Sequence, residues 1–465
     1  MTNIQSPPGE TALRRELNIA DLIFAQILLV VVPDFFGTAV KAGPAHVVLW
    51  LAAIVLFFIP LALIVAHLNR LMPLEGGLYE WARLAFNDQI GFLVAWNLWL
   101  FIMLYVAVIG LVTTTSLAYA IPSLAWIAAS KWAVLAASVA LIALQMLLAA
   151  IGFAVGKWIN NAGSIAVLIT VALLVGLPLV NVWHGTLNTF HPLRLVAPPM
   201  TIFTISVFSK MTFGALSGFE YVAIFAGESR NPARNIARSI LITAPVIALI
   251  YIFTTSAILA YVSPDSIDVI GPIPQALRMG FGNLGAIIVP VAIFLLLANY
   301  LTTFSLYFSG SARLPMAAGW DHLLPAWFSR LHARYKTPVN SILFLGGATL
   351  AASAAALIGV GVQESYELLL TWGFTFYGVA YLALFAIPLF APKNRGIRPG
   401  VLLRIGAASG LLVTALFVGL SVFPIIHVES ESNYSWKIGV VVVAANILGW
   451  MIYRAGQRPR GVRNV

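Results

Sequence analysis

Two short stretches set a carboxylate beside a helix breaker in otherwise apolar sequence: Val32-Pro33-Asp34-Phe35-Phe36-Gly37 and Phe213-Gly214-Ala215-Leu216-Ser217-Gly218-Phe219-Glu220. A charge at the centre of a bilayer costs at least ~2.5–3.5 kcal/mol, so a carboxylate at that depth normally faces a polar cavity and carries function. Asp34 could bind an ammonium group or take up a proton; it could also cap the helix that resumes after Pro33, and these roles are compatible. Glu220 could relay a proton or lock the turn through backbone amides. An unwound turn frees N–H and C=O groups that a ligand, water or side chains must meet. Half-helix N-termini suit a carboxylate and exposed carbonyls suit an ammonium. Pro33, Asp34, Phe35 and Gly37, with Phe213, Gly214, Ser217 and Gly218, are therefore candidate binding residues for a small zwitterion or amine. The plainer alternative is that these Gly and Pro residues only kink or pack a membrane helix.

The elements that must position these residues are membrane helices. The chain has 465 residues, 61% hydrophobic and 9% charged, with mean hydropathy +0.95. So few charges cannot clothe a soluble surface. Stretches long enough to cross a bilayer fall at 17–40, 45–69, 89–119, 132–153, 158–181, 201–227, 239–262, 284–311, 338–360, 366–390, 402–424 and 437–455. The two interrupted stretches lie in the first and sixth, which are matching places in two halves, 17–181 and 201–390. Paired interruptions of this kind predict an inverted-repeat transporter with its site at the breaks. The segments 402–455 add a final helix pair, and 1–16 and 456–465 are polar or basic tails.

Charge placement predicts the orientation. With twelve crossings and a cytoplasmic N-terminus, all but six of the 26 Lys and Arg fall on the cytoplasmic side. The exceptions are Lys41, Lys131, Arg194, Arg278 and Lys437 opposite, and Lys210 inside a span. The positive-inside rule thus puts both ends in the cytoplasm of a cell-membrane protein, and the net charge of +10 reports topology rather than nucleic-acid binding. Asp265, Asp268, Glu364, Glu367, Glu429 and Glu431 are expected in the opposite loops. The polar first sixteen residues, with no small-residue cleavage site after them, predict no cleavable leader. Cysteine is absent and the seven His are scattered without ligand spacing, so no metal or cofactor is expected. No phosphate loop of the ATPase type is present, nothing resembles an enzyme's catalytic cluster, and no ring of pore-lining polar residues suggests a channel. A transport-inactive membrane sensor or channel on the same fold is the competing reading. The partners expected are the lipid bilayer, a small-molecule substrate and protons.

Three segments carry a resemblance. Gly218-Phe219-Glu220 followed by Glu228-Ser229-Arg230-Asn231-Pro232-Ala233-Arg234, Arg313 with the Leu323-Leu324-Pro325 tail, and Pro73, Gly76, Gly77 and Tyr79 resemble signatures of the amino acid–polyamine–organocation superfamily in the same order and spacing. Phe57-Phe58-Ile59-Pro60 is similar to its glutamate/γ-aminobutyrate exchanger branch. The resemblance implies an all-α integral membrane fold of 12 transmembrane helices: a LeuT-type 5+5 inverted repeat with discontinuous helices 1 and 6, plus two peripheral helices. It implies transport of amino acids or polyamines by proton symport or exchange. By the same resemblance Tyr307 faces substrate, Gly214 holds the place of a gating aromatic, and Thr302 and Thr303 could serve a sodium site. Glu228 could pair with Arg234 or Arg313 as an inner gate. Trp96, Trp99 and Tyr105 are candidates to wall the site, Tyr105 also to gate it or relay a proton. Two departures stand out. Val30-Val31-Val32-Pro33 replaces the family's Gly-rich carboxylate clamp, and span five contains no Lys or Arg between 158 and 181.

Overall fold

The computed structural model describes residues 17–74, 76–152, 157–226, 229, 231–282, 285–317, 320, 323–325, 327–392 and 399–457. They form twelve apolar crossings, eleven single helices and one bent pair, in the LeuT-type arrangement with broken helices one and six. Spans eleven and twelve are peripheral: 28% and 17% of their central windows are buried, against 89% in span three.

Span one starts at Asn18, whose side chain accepts from the Asp21 amide at 3.0 Å while Asp21 reciprocates at 3.1 Å, a capping box. The helix Ile19–Val30 then stops, and Asp34–Val40 resumes at an angle of 57°. Pro33 supplies the reason, since it has no N–H for the carbonyl of Leu29. Span six breaks differently. Ile202–Leu216 ends at an extended Ser217, Gly218 takes φ +120°, and Phe219–Ala226 continues as a 3-10 helix. That φ is open to glycine and strained for other residues.

Span two contains a π turn at Ile54–Phe58, immediately before Pro60. The Leu56 carbonyl, whose helical donor would be Pro60, receives the Ser409 hydroxyl of span eleven at 2.7 Å instead. After Pro73 the chain forms the short amphipathic helix Leu78–Ala85. A second helix outside the spans, Pro272–Phe281, was not anticipated from the sequence.

Three span starts need correction. Span seven begins at Pro232, span ten at Val362 and span twelve at Glu431, several residues before the expected starts, so Glu431 opens a helix rather than lying in a loop. Consequently Glu364 and Glu367 are not loop residues. Both lie in the first turns of span ten and are buried, because partners on neighbouring elements meet their charges. Glu367 pairs with Lys210 of span six at 2.8 Å, and Glu364 accepts from the Glu429 amide at 3.3 Å.

Candidate functional site

Asp34 opens the second half of span one and is 1% exposed. Three tyrosines from three different spans donate to it. Tyr366 of span ten reaches Oδ1 at 2.7 Å, Tyr300 of span eight the same oxygen at 3.4 Å, and Tyr105 of span three Oδ2 at 3.1 Å. All three are themselves buried. A buried carboxylate demands such donors, because leaving it unpaired costs several kcal/mol.

The backbone freed by the break is also satisfied by tyrosines. The Tyr251 hydroxyl, from span seven, accepts from the Val32 amide at 3.0 Å and donates to the Val30 carbonyl at 2.8 Å. Tyr307 donates to the Leu29 carbonyl at 3.4 Å, the group that Pro33 leaves without its helical donor. The span-six break repeats the device. The Gly218 amide donates to the Tyr381 hydroxyl at 2.8 Å, while Tyr381 and Tyr377 each donate to the Glu220 carboxylate. The Ser217 hydroxyl turns back to the Phe213 carbonyl.

The two breaks touch through Phe35 and Gly214. A Cβ at Gly214 would stand 1.9 Å from the Phe35 ring, so glycine there is a packing requirement. Phe35 also meets Phe374 edge-on with ring centroids 4.6 Å apart. Between the carboxylates runs a column of rings: Tyr105 against Phe374 at 5.7 Å, Phe101 stacked on Tyr377 at 4.3 Å, and Tyr221 against Tyr307 at 5.3 Å. Tyr366 and Tyr377 are eleven residues apart on one helix, which separates the two carboxylate clamps by about 16 Å along span ten.

Residues 18–445 match the family described as amino acid permease. The chain belongs to that family, within the amino acid–polyamine–organocation superfamily. It is 24% identical to an uncharacterized transporter of Legionella pneumophila over 88% of this chain and 87% of that protein. It is 24% identical to a probable agmatine/putrescine antiporter of Lactococcus lactis, covering 83% and 81%. It is 27% identical to a branched-chain amino acid permease of Bacillus subtilis, covering 76% and 77%. As a family member the chain is a multi-pass membrane transporter of amino acids or amines.

The structure thus brings together Pro33, Asp34, Phe35, Phe213, Gly214, Ser217, Gly218, Tyr105, Tyr307 and Glu220. Phe213 faces Tyr381 at 5.1 Å and stacks on Phe417 of span eleven at 4.5 Å. Gly37 points elsewhere. A Cβ there would lie 2.9 Å from the backbone of Val269, in the loop after span seven. Trp96 and Trp99 pack with Trp320, and the Trp96 indole donates to the Ala445 carbonyl of span twelve at 3.0 Å, so only Tyr105 of the three aromatics reaches the site. Thr302 bonds its own helix at the Ala298 carbonyl at 2.8 Å. Glu228, with its pairing to Arg234 or Arg313, lies outside the described residues.

Sequence reasoning missed Tyr251, Tyr300, Tyr366, Tyr377 and Tyr381. With Tyr105, Tyr221 and Tyr307 they make eight of the 14 tyrosines. A signal existed. Tyr300 and Tyr307 are seven apart, and Tyr366, Tyr377 and Tyr381 are eleven and four apart, spacings that keep side chains on one helix face.

Proposed function

We propose that this permease is a secondary transporter that holds the ammonium group of its substrate at Asp34 and works by alternating access. One observation carries the reading: a buried carboxylate at a helix break, ringed by three phenol hydroxyls and their rings. An entering ammonium would replace hydroxyl donors on Asp34 and lie against aromatic faces, contacts of about 0.5–2 kcal/mol each. The backbone amides of Val32 and Gly218 already have tyrosine acceptors, and the Gly-rich stretch that would receive a carboxylate is absent. A carboxylate-free amine therefore fits better than a zwitterion, in keeping with the similarity to a probable agmatine/putrescine antiporter. Transport of an amino acid through the same ammonium contact is the second reading, favoured by the similarity to a branched-chain amino acid permease.

In this reading the repeats 17–181 and 201–390 form the moving core, with 402–455 beside it. Both chain ends face the cytoplasm, as the charge bias supports, and the protein resides in the cell membrane. Exchange is preferred to proton symport, because span five carries no Lys beyond Lys157 at its cytoplasmic edge and the tyrosines supply donors to Asp34 whenever substrate leaves. Glu220 locks the span-six break.

Counterflow in proteoliposomes tests this. Vesicles preloaded with agmatine or putrescine should accumulate the labelled amine, and unloaded vesicles should not. Branched-chain amino acids should move more slowly. If folded protein moves no member of an amine and amino-acid panel, the substrate reading is wrong.

A further inference from the structure

The Lys210–Glu367 pair plays no part in holding substrate, yet it sits at a decisive place. Lys210 is on the half of span six before the break, and Glu367 on the first turns of span ten. Their charges meet at 2.8 Å, with side chains 4% and 5% exposed. Lys210 also lies 5.8 Å from the ring centre of Tyr434 in span twelve, and Thr371 bridges Glu367 at 3.4 Å to the Tyr434 hydroxyl at 3.1 Å. Burying an ion pair is a poor way to gain stability, because desolvation offsets most of the attraction. Its advantage over a hydrocarbon contact is reversibility, since both charges are well solvated once water reaches them.

A cavity of about 410 Å³ lies at the ends of spans one, six and twelve, lined by Lys41, Phe203, Asp265, His427 and Glu431, with Phe203 about two turns before Lys210 on span six. Lys41, at the end of span one's second half, is half-buried; burial pushes its pKa down, while the Asp265 and Glu367 carboxylates push it back up. Lys41, from the other broken span, thus lies within electrostatic reach of the carboxylate that Lys210 pairs with. The neighbouring residue, Tyr366, holds Asp34. One turn of span ten thus grips the second half of span one through Tyr366 and the first half of span six through Glu367.

We propose that the Lys210–Glu367 pair is the outer latch of the permease, which must open before the Asp34 site can face outside. It rests on the orientation and alternating access proposed above. The cavity is the vestibule from which water reaches the latch. Substrate that draws Tyr366 from Asp34 disturbs the same helical turn, so occupancy and latch are coupled.

The chain has no cysteine, which allows a clean test. Thr38, buried one turn beyond Asp34, is changed to Cys, and its labelling by a membrane-impermeant maleimide is timed from either side of the vesicle. Lys210→Met and Glu367→Gln should each raise labelling from outside about tenfold without raising labelling from inside, and elute as one gel-filtration peak; the conservative Glu367→Gln keeps the test available if Lys210→Met misfolds. The reversed pair Lys210→Glu with Glu367→Lys should return the outside rate to within about twofold of the parent. Unchanged outside labelling in the single variants, a rise from both sides, or no recovery in the reversed pair would overturn the latch. The assay needs no substrate, so failure of every amine in the transport panel would remove the substrate reading while leaving this result legible.

Discussion

The two helix breaks solve one problem in two ways. In span one the carboxylate is held by tyrosines from spans three, eight and ten, and a fourth tyrosine from span seven closes the backbone. In span six the carboxylate is held by Tyr377 and Tyr381, one turn apart on span ten alone. A carboxylate shared among three helices changes its partners whenever those helices move relative to one another. One gripped by a single turn travels with that helix as a unit. The first arrangement suits a binding site that must release its cargo, the second a fixed joint. Polarity alone does not separate the two carboxylates; the number of independent helices holding each one does.

Substitutions can break this distinction. The largest expected effect is at Asp34. Asp34→Asn should lower apparent substrate affinity about 10- to 100-fold, since a hydrogen bond to a charged group contributes about 1.5–3 kcal/mol, measured as concentration-dependent uptake or counterflow. Glu220→Gln should leave apparent affinity within a few-fold of the parent while lowering thermal stability in detergent; an affinity loss as large as that at Asp34 would erase the distinction. Next, Tyr251→Phe should destabilise the protein by about 1 kcal/mol, because it removes the hydroxyl that bonds both groups and leaves the Val32 amide and Val30 carbonyl only their 2.9 Å bond to each other, and a melting temperature equal to the parent's would show that water replaces the hydroxyl. The smallest effects are graded among the Asp34 donors. Tyr366→Phe, losing a 2.7 Å bond, should lower the melting temperature more than Tyr300→Phe, which loses one of 3.4 Å.

Much of this was legible before any coordinates. Asp34 and Glu220 were marked by their setting, a carboxylate close to Pro33 or Gly218 in apolar sequence, although that setting left a cap or a backbone lock as open as a binding role. Hydropathy failed where burial was paid for by a distant partner. It left Glu364 outside span ten and Glu367 at its very edge, because it scores charge without seeing the distant partners, the Glu429 amide for Glu364 and Lys210, 157 residues away, for Glu367. It also overlooked Pro272–Phe281, too short to resemble a span. Trp96 and Trp99 were placed at the site on residue type alone, whereas the helix face they occupy turns them to spans nine and twelve.

The sequence by itself determined that the chain crosses a membrane, where its helices break, and which carboxylates stand at the breaks. These follow from local properties: transfer free energy per residue, the missing N–H of proline and the free φ of glycine. Tertiary structure alone decided what meets the freed groups. Tyr251 serves the span-one break from 219 residues away and Tyr366 reaches Asp34 across 332, and a hydroxyl on a long apolar helix gives no local sign of which backbone gap it will fill.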